Sequence, residues 1–444
     1  MPDFNFNSIV AVITILGTGI TIGLLIWTVF NALASKRYDD FKKTWRHLSN
    51  DRGRYYEIVL EMYEKLFHGE IEENKVVTDG NMIKREGWLP RTEEKGFYLL
   101  DEVTVDIIGD KGDIARLAAN MKTSPRKDFP NRKVGYAENM DAFLQDETGR
   151  KRMFDNNVFV LQNYEYSRDA GVKLTVFEST YFEYQNTCEV LSYELVRTLR
   201  RKAEQSALEL PQLKQRWEKR DIFDFTNRNV AIGINTITIF QNYKPGDAES
   251  NGSVFLLHNR SKGNVAEAMG TTSVVPAGTY QSVVLKASKR EKDKVPDRFE
   301  YDKRLSNTVT REYCEEILGK TEYQDYDSIV ALNDDFKKAH EGKYNLYFLG
   351  LGLDALSTKC EIMTCMVIDL ENVGIDDDIH PAKYKNNYEG EISVLDFNKK
   401  NLKYFINESK TMPVARDIFK IIHDNFEFFD NKVMQDESSS VPQK

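Results

Sequence analysis

The sequence predicts an α+β protein that begins with a single N-terminal transmembrane helix. Two observations support this fold class. No charged residue occurs from Phe4 to Ser35, and the apolar run at 9–34 is long enough to cross a bilayer with some tilt. The rest of the chain alternates strand-like apolar runs with helical patterns, and its 444 residues allow two or three domains.

The flanks of the apolar run predict its orientation. By the positive-inside rule, residues 1–8 are expected outside and the main body in the cytoplasm, as in a single-pass membrane protein; the alternative is a buried core helix. Gly19 and Gly23 have the GxxxG spacing that lets two helix backbones approach closely, which predicts a membrane dimer contact. Only Asp3 precedes the run, whereas a basic cluster follows it: Lys36, Arg37, Lys42, Lys43 and Arg46.

Residues 35–76 are predicted to form a juxtamembrane helical stalk. Two structures fit its pattern, namely an amphipathic helix packed on its own domain, or a dimeric stalk that extends a homo-oligomeric contact from the membrane. The pattern is a series of apolar residues at alternating spacings of four and three, broken once by Arg52: Phe41, Trp45, Leu48, Tyr55, Val59, Met62 and Leu66.

Residues 77–215 are predicted to form an α+β domain of unknown role. Strand-like runs at 156–166 and 172–184 are joined by a short polar turn, as in a hairpin. A helix is expected next, because Asn186 and Glu189 have the spacing of a capping box. This segment shows no catalytic constellation.

Residues 216–432 are predicted to form a further domain, and the polar tail 433–444 is predicted to be disordered. Within the domain, the stretch at 307–320 precedes a strand, an acidic segment and a closing helix. The other expected strands and loops are 229–240, 253–261, 270–281, 361–370 and 388–397.

Three glutamates follow Arg311 closely in this domain. Glu312, Glu315 and Glu316 are three and four residues apart, so on an α-helix they share one face. Such carboxylates repel each other unless they are solvated, paired with basic groups or neutralised by a cation such as Mg²⁺. The spacing alone is therefore compatible with a solvated helix face or with a metal site.

The order of motifs around these glutamates resembles the Nudix superfamily. The strand SVFLLHNR, the loop PAG and the helix REYCEEILG follow one another as in that family, within about 222–430. The resemblance implies a Nudix-like mixed sheet sandwiched by helices, with a signature helix that holds one or more Mg²⁺ ions against a substrate diphosphate. It implies that Glu312, Glu315 and Glu316 are metal ligands. It also implies that Glu312 is a candidate base for the attacking water, with Arg311 as its orienting partner.

The sequence departs from the family pattern in three places. Val284 stands where the family has a glutamate, an insertion places Arg311 further from Gly278, and Gly319 comes one position late. Arg260, at the end of the preceding strand, and Gly278, in the loop, are candidate ligand-binding residues.

Four other ionisable residues of this domain have candidate roles. His258 is expected to be structural, and Asp354 is either a turn residue or a ligand contact. Glu389 and Glu391 are candidates for an additional acidic ligand.

Charge and cysteine content limit the class of partner and compartment. A net charge of −9 argues against nucleic acid as a partner, because nucleic-acid binding needs a basic field. The 4 cysteines contain no CxxC pair, and buried free thiols are expected.

Three functions fit this domain order. The first is a membrane-anchored cytoplasmic protein that senses a nucleotide or nucleotide-derived ligand, a layout that resembles the membrane-anchored Nudix effectors of bacterial cyclic-nucleotide antiviral systems. The second is a Mg²⁺-dependent Nudix hydrolase that cleaves a nucleoside diphosphate derivative by metal-assisted attack of water. The third is a scaffold with an inactive site.

Overall fold

The structure is a computed structural model, and the residues outside its described ranges include Gly19, Gly23, Val284, Glu389 and the tail at 433–444. The described residues are 32–73, 75–79, 82–92, 96–108, 129–148, 153, 155–201, 222–244, 252–260, 270–283, 299–321, 325–371, 373, 377–381, 384 and 390–431.

Helices of the described residues are distributed along the whole chain, and two of them are extended by π-helical turns at Gln185–Glu189 and Tyr313–Ile317. They are α1 (32–50), α2 (Arg52–Leu66), α3 (His68–Glu72), α4 (Tyr136–Thr148), α5 (Tyr181–Tyr184), α6 (Val190–Arg201), α7 (Leu305–Glu312), α8 (Tyr326–Ala339), α9 (Lys399–Asn407), α10 (Pro413–Asp424) and α11 (Phe426–Asn431).

The strands form one large and one small sheet, so the architecture is mixed α/β. The large sheet has the order β1-β2-β11-β12-β7-β8-β13, with β3, β9 and β10 added at its sides, and the small sheet has the order β4-β6-β5. The strands are β1 (Val76–Asp79), β2 (Met82–Arg85), β3 (Tyr98–Leu99), β4 (Thr104–Ile108), β5 (Asn157–Ser167), β6 (Gly171–Thr180), β7 (Ile232–Tyr243), β8 (Gly252–Arg260), β9 (Thr272–Ser273), β10 (Ala277–Thr279), β11 (Tyr344–Asp354), β12 (Cys360–Asp369) and β13 (Gly390–Asp396).

The large sheet is mixed, because β12 and β7 run parallel while their outer neighbours run antiparallel. Strand β7 is buried on both faces, which explains its nearly continuous run of branched apolar residues. Ile232 and Ile234 share a core with Val309 of α7, whereas Ile237 and Ile239 pack in the core of α10. The sheet is therefore sandwiched between α7 on one face and α10 on the other.

The small sheet is joined to the large one by backbone hydrogen bonds. Phe159 N donates to Tyr280 O at 2.8 Å, and Leu161 N donates to Val230 O at 2.9 Å. The hairpin of β5 and β6 confirms the prediction for this region, with its turn at 168–170. The boundary expected near residue 216 stays a prediction.

The structure corrects the predicted transmembrane helix. Within the described part of the chain, no helix is long and apolar enough to cross a membrane. Most of the expected span lies outside that part. Its last residues, 32–34, begin α1, which carries charged side chains and buries Phe41 against Tyr193, with ring centroids 4.9 Å apart. The single-pass topology and the localisation inferred from it fall with this correction.

The apolar seam of the expected stalk lies in the chain's own core. Tyr55, Val59 and Met62 of α2 are buried in the cluster that contains the large sheet. Leu48 of α1 belongs to the same cluster. This is the packing expected of an amphipathic helix on its own domain, the first of the two alternatives that the spacing allowed.

The helix predicted to begin at Asn186 begins earlier. The Thr180 side chain accepts from Glu183 N at 3.3 Å and caps α5, so the helical segment starts at Tyr181. Asn186 lies inside the π-helical turn, and its side chain accepts from Ala137 N at 2.9 Å. The expected capping box is therefore wrong, because Asn186 joins two helices instead of starting one. All 4 cysteines are free and buried, as expected.

Candidate functional site

The glutamate helix, residues 305–317, consists of α7 and the π-helical turn that follows it. Leu318 N donates to Tyr313 O at 3.1 Å, the i to i−5 pattern of a π turn. Gly319 then has a φ of +64°, and Lys320 N donates back to Cys314 O at 2.9 Å. The wider turn takes up one more residue than an α turn, which accounts for the late glycine.

The π turn also changes how the glutamates are displayed. The spacing of three and four residues puts side chains on a common face only in an α-helix. Here Glu312 ends α7, while Glu315 and Glu316 lie in the π turn. The prediction of a shared face assumed a regular helix, and the structure does not have one at this point.

Arg311 and Glu312 form a buried ion pair. Arg311 Nη2 lies 2.7 Å from Glu312 Oε1, and the two side chains are 3% and 17% exposed. Burial by itself would lower the pKa of Arg311, but the carboxylates of Glu312 and Glu315 outweigh it and the pKa is raised. Arg311 therefore stays charged and holds Glu312 in place, and its role in orienting a catalytic base stays a prediction.

Gly278 lies directly against the Glu312 carboxylate. A Cβ atom at position 278 would be 2.4 Å from Glu312 Cδ and 2.5 Å from Oε1. Strand β10 fixes this position, because Gly278 pairs with Ile234 of the central strand. The loop glycine is required for this close approach, and the structure thus brings Gly278 together with the glutamate helix.

Glu316 holds the same loop from its other side. Its Oε2 accepts from Ala277 N at 2.9 Å, and the residue is 9% exposed. Glu312 and Glu316 therefore both contact the β10 loop, one at Gly278 and one at Ala277. Glu315 is half-buried in the same helix and lies near enough to Arg311 to raise its pKa.

Asp302 is a titratable residue of this site that sequence reasoning missed. Its carboxylate accepts from Ser282 Oγ at 2.7 Å and from Val283 N at 3.2 Å, next to the β10 loop. Burial raises its pKa to about 6, against the opposing effects of these bonds and of the Arg311 charge. Asp302 follows an irregular charged stretch, and no periodicity or motif there marks it as buried.

The metal-ligand roles of Glu312, Glu315 and Glu316 stay a prediction. Among the residues that the structure describes, no three His, Cys, Asp or Glu side chains converge closely enough to hold a metal. The contacts explain this, since Glu312 Oε1 is paired with Arg311 and Glu316 Oε2 with a backbone N–H. Glu391, one of the candidates for an additional ligand, is exposed on β13 opposite Asn259.

Arg260 and His258 lie on the face of the sheet that α7 covers. They continue the series of every second residue that begins with Val254 and Leu256, which belong to the same core cluster as Val309. His258 is fully buried, and burial together with the Arg260 charge lowers its pKa to about 4, so it is neutral near pH 7. Within the described ranges, no hydrogen bond or ion pair joins Arg260 to the glutamate helix, and its role as a ligand contact stays a prediction.

Asp354 is a turn residue, which is one of the two roles predicted for it. Its Oδ1 accepts from Leu356 N at 3.0 Å and from Ser357 N at 2.7 Å, which closes the turn between β11 and β12. Its Oδ2 accepts from Tyr56 OH at 2.6 Å, so the same carboxylate ties α2 to the sheet.

Comparison with known proteins leaves the family unassigned. No protein-family model and no curated protein matches the sequence. The chain resembles a solved structure described as the crystal structure of a NUDIX hydrolase from Alicyclobacillus acidocaldarius, with 12% sequence identity, a TM-score of 0.24, and coverage of 45% of this chain and 95% of that one. We draw nothing further from a similarity of this size.

Proposed function

We propose that the chain is a Nudix-like protein that binds a nucleotide or nucleotide-derived ligand without hydrolysing it. The order of strand, loop and glutamate helix supports the ligand class. The Arg311–Glu312 ion pair at 2.7 Å supports binding over hydrolysis. The ion pair occupies the carboxylate of Glu312, which by the family resemblance would be a base or a metal ligand.

The second contact of the loop supports the same proposal. Glu316 accepts the Ala277 N–H from a position only 9% exposed. Releasing the Glu316 carboxylate would leave the Ala277 N–H without this partner. The glutamates therefore act as structural links between helix and loop.

A Mg²⁺-dependent hydrolase is the second candidate, and one observation favours it. Glu312 and Glu315 both raise the pKa of Arg311, so their carboxylates lie close to the same guanidinium. A movement of Arg311 toward a substrate phosphate would leave these two carboxylates next to each other. Hydrolysis would then depend on the substrate to assemble the site.

One experiment separates the two candidates. The full-length chain is incubated with a nucleotide library and Mg²⁺, and both phosphate release and the shift in melting temperature are followed. We expect a thermal shift without phosphate release. Release that is lost in Glu315→Gln and Glu316→Gln would establish the hydrolase. Glu341→Gln is the matched control, because Glu341 is exposed in the turn between α8 and β11.

The same experiment tests the third function, a scaffold with an inactive site. A scaffold would show neither phosphate release nor a thermal shift with any nucleotide. That result would overturn the proposed ligand binding as well as the hydrolase.

A further inference from the structure

Helix α9 has an apolar inner side and a basic outer side. Leu402 is fully buried, and Phe405 and Ile406 pack against the core cluster of α10. Residues three and four apart share one face of a helix, so the exposed positions that remain form one continuous surface. We call this surface the α9 face, and it consists of Lys400, Lys403, Tyr404 and Asn407, all of which are exposed.

The two lysines of the α9 face differ from the lysine that precedes them. Lys399 lies 3.2 Å from Glu427 of α11 and is therefore paired. Within the part of the chain that the structure describes, Lys400 and Lys403 form no ion pair. The whole chain has a net charge of −9, so two unpaired ammonium groups next to each other are a local reversal of sign. Such a surface attracts an acidic partner.

Tyr404 places an aromatic ring beside these lysines. The residue is 59% exposed, more than any other large apolar or aromatic side chain among the residues that the structure describes. Its hydroxyl donates to Glu408 Oε2 at 3.1 Å, and its ring meets the Phe405 ring edge to face at 5.0 Å between centroids. These contacts hold the ring in one orientation. Tyrosine is enriched among the residues that dominate binding energy at protein interfaces.

The α9 face surrounds an open depression of about 300 Å³, lined by its four residues and by Glu408. The carboxylate of Glu408 is already bound, because it accepts from Tyr404 OH and from Lys410 N, the latter at 3.2 Å. The free charges of the lining are therefore positive. Small molecules bind in clefts that enclose most of their surface, whereas an open depression of this kind is accessible to a peptide.

We propose that the α9 face docks an acidic peptide segment of a partner protein. Tyr404 contacts an apolar side chain of the peptide, and Lys400 and Lys403 pair with carboxylates on either side of it. The proposal goes beyond the proposed function and does not depend on nucleotide binding. A nucleic acid fits less well, because it brings a negative charge with every nucleotide to a chain that is acidic as a whole.

The test measures peptide binding to the full-length chain by fluorescence anisotropy. The probes are short synthetic peptides in which glutamates flank one leucine or phenylalanine, and each is matched by a peptide with glutamine at every glutamate position. A single-stranded oligouridylate is the third probe. We expect the glutamate peptides to bind more tightly than the glutamine peptides, with an affinity that falls as salt is added.

Two substitutions address the α9 face directly. Tyr404→Ala is expected to weaken binding of the glutamate peptides about ten-fold or more, because it removes the aromatic contact. Lys403→Gln is expected to weaken binding about three-fold at low salt and less at high salt. Both residues are exposed, so the melting temperature of the free protein is expected to stay the same.

Each substitution has a matched control. Tyr404→Phe keeps the ring and is expected to bind within about two-fold of the wild type, which separates the ring from the hydroxyl. Lys338→Gln removes the same charge from an exposed lysine of α8 and is expected to leave peptide binding unchanged.

The outcomes assign the α9 face to one occupant. Peptide binding that is unchanged in both Tyr404→Ala and Lys403→Gln, or no binding of any glutamate peptide, overturns the proposal. Tighter binding of oligouridylate that the same substitutions weaken assigns the face to nucleic acid and also overturns it. Self-association in analytical ultracentrifugation that is lost in Tyr404→Ala assigns the face to a second copy of the chain, with the same consequence. None of these substitutions touches the glutamate helix, so a failure here leaves the proposed function standing.

Discussion

The two faces of the large sheet hold their charged groups in different contacts. On the face of the glutamate helix, Arg311 is paired with Glu312, and Glu316 holds a backbone N–H of the neighbouring loop. On the face of α10, Lys84 is paired with Asp417, and Lys359 lies 3.4 Å from Glu361 at the wall of a cavity of about 280 Å³. We call the first the closed face, because Gly278 lies directly against Glu312 there, and the second the open face, because it borders the cavity. Buried nitrogens without a hydrogen-bond partner in the described residues occur on both faces, among them Arg311 Nε and Arg416 Nε.

This difference shows that a motif and a binding site are separate properties. A motif records which side chains occur at which spacing, and the same spacing serves a ligand or an internal contact.

The largest expected effect concerns the attachment of α10 to the sheet. Asp417 of α10 forms an ion pair with Lys84 of β2, and the side chains are 1% and 6% exposed. Asp417→Asn is expected to lower the free energy of unfolding by about 3–5 kcal/mol, because it leaves a buried ammonium without its counter-charge. Urea unfolding measures this.

Two variants serve as controls for Asp417→Asn. Asp424→Asn, on the same helix but exposed and paired with Lys420, is expected to cost less than about 1 kcal/mol. The double variant Lys84→Met with Asp417→Leu is expected to recover much of the loss. If Asp417→Asn lowers the free energy of unfolding no more than Asp424→Asn does, the ion pair between Lys84 and Asp417 does not hold α10 on the sheet.

Many strands of the fold can be predicted from the sequence, but the π turn of the glutamate helix and the cavity cannot. The hairpin of β5 and β6 and the buried strand β7 follow from alternation and from branched apolar runs, which report local burial. The π turn is not visible, because Glu312, Glu315 and Glu316 have the same spacing whether the helix is regular or widened. The cavity on the α10 face combines α2 with segments hundreds of residues later, and no local sequence pattern brings them together.

The second effect tests how tightly the closed face is packed. Gly278→Ala would bring a Cβ to 2.4 Å from Glu312 Cδ and is expected to cost about 1–3 kcal/mol through overpacking. Gly252→Ala, where a Cβ meets nothing within 4 Å, is the matched control and is expected to cost less than about 0.5 kcal/mol.

A double-mutant cycle shows whether Glu312 causes the cost at Gly278. In a Glu312→Ala background the added methyl group has room. The loss in free energy of unfolding caused by Gly278→Ala is therefore expected to be smaller by about 1 kcal/mol or more. Strict additivity of the two changes would mean that the loop and the carboxylate do not touch.

A third effect depends on pH and concerns Asp302, beside the closed face. Burial raises the pKa of this carboxyl from 3.8 to about 6, so the folded chain binds its proton more tightly than the unfolded chain. Wild-type stability should therefore fall, relative to Asp302→Asn, as pH rises through this window. At pH 7 we expect Asp302→Asn to be more stable by roughly 1–2 kcal/mol.

For Asp302, the quantity to compare is the difference in free energy of unfolding between the wild type and Asp302→Asn at each pH. His258 titrates in an overlapping range, because burial lowers its pKa to about 4, and this contribution is common to both. A difference that does not change between pH 4 and pH 7 would show that Asp302 keeps an ordinary pKa in the folded chain.

The smallest expected effect separates a structural glutamate from a metal ligand. Glu316→Gln keeps an oxygen that can accept from Ala277 N, so the free energy of unfolding is expected to fall by less than about 1 kcal/mol. The melting temperatures of the wild type and the variant are then compared with and without Mg²⁺. We expect both to respond to the ion equally, because Glu316 binds the loop and not a cation. A Mg²⁺-dependent stabilisation that is present in the wild type and lost in Glu316→Gln would reverse the comparison of the two faces, since the closed face would then be the one that takes a ligand.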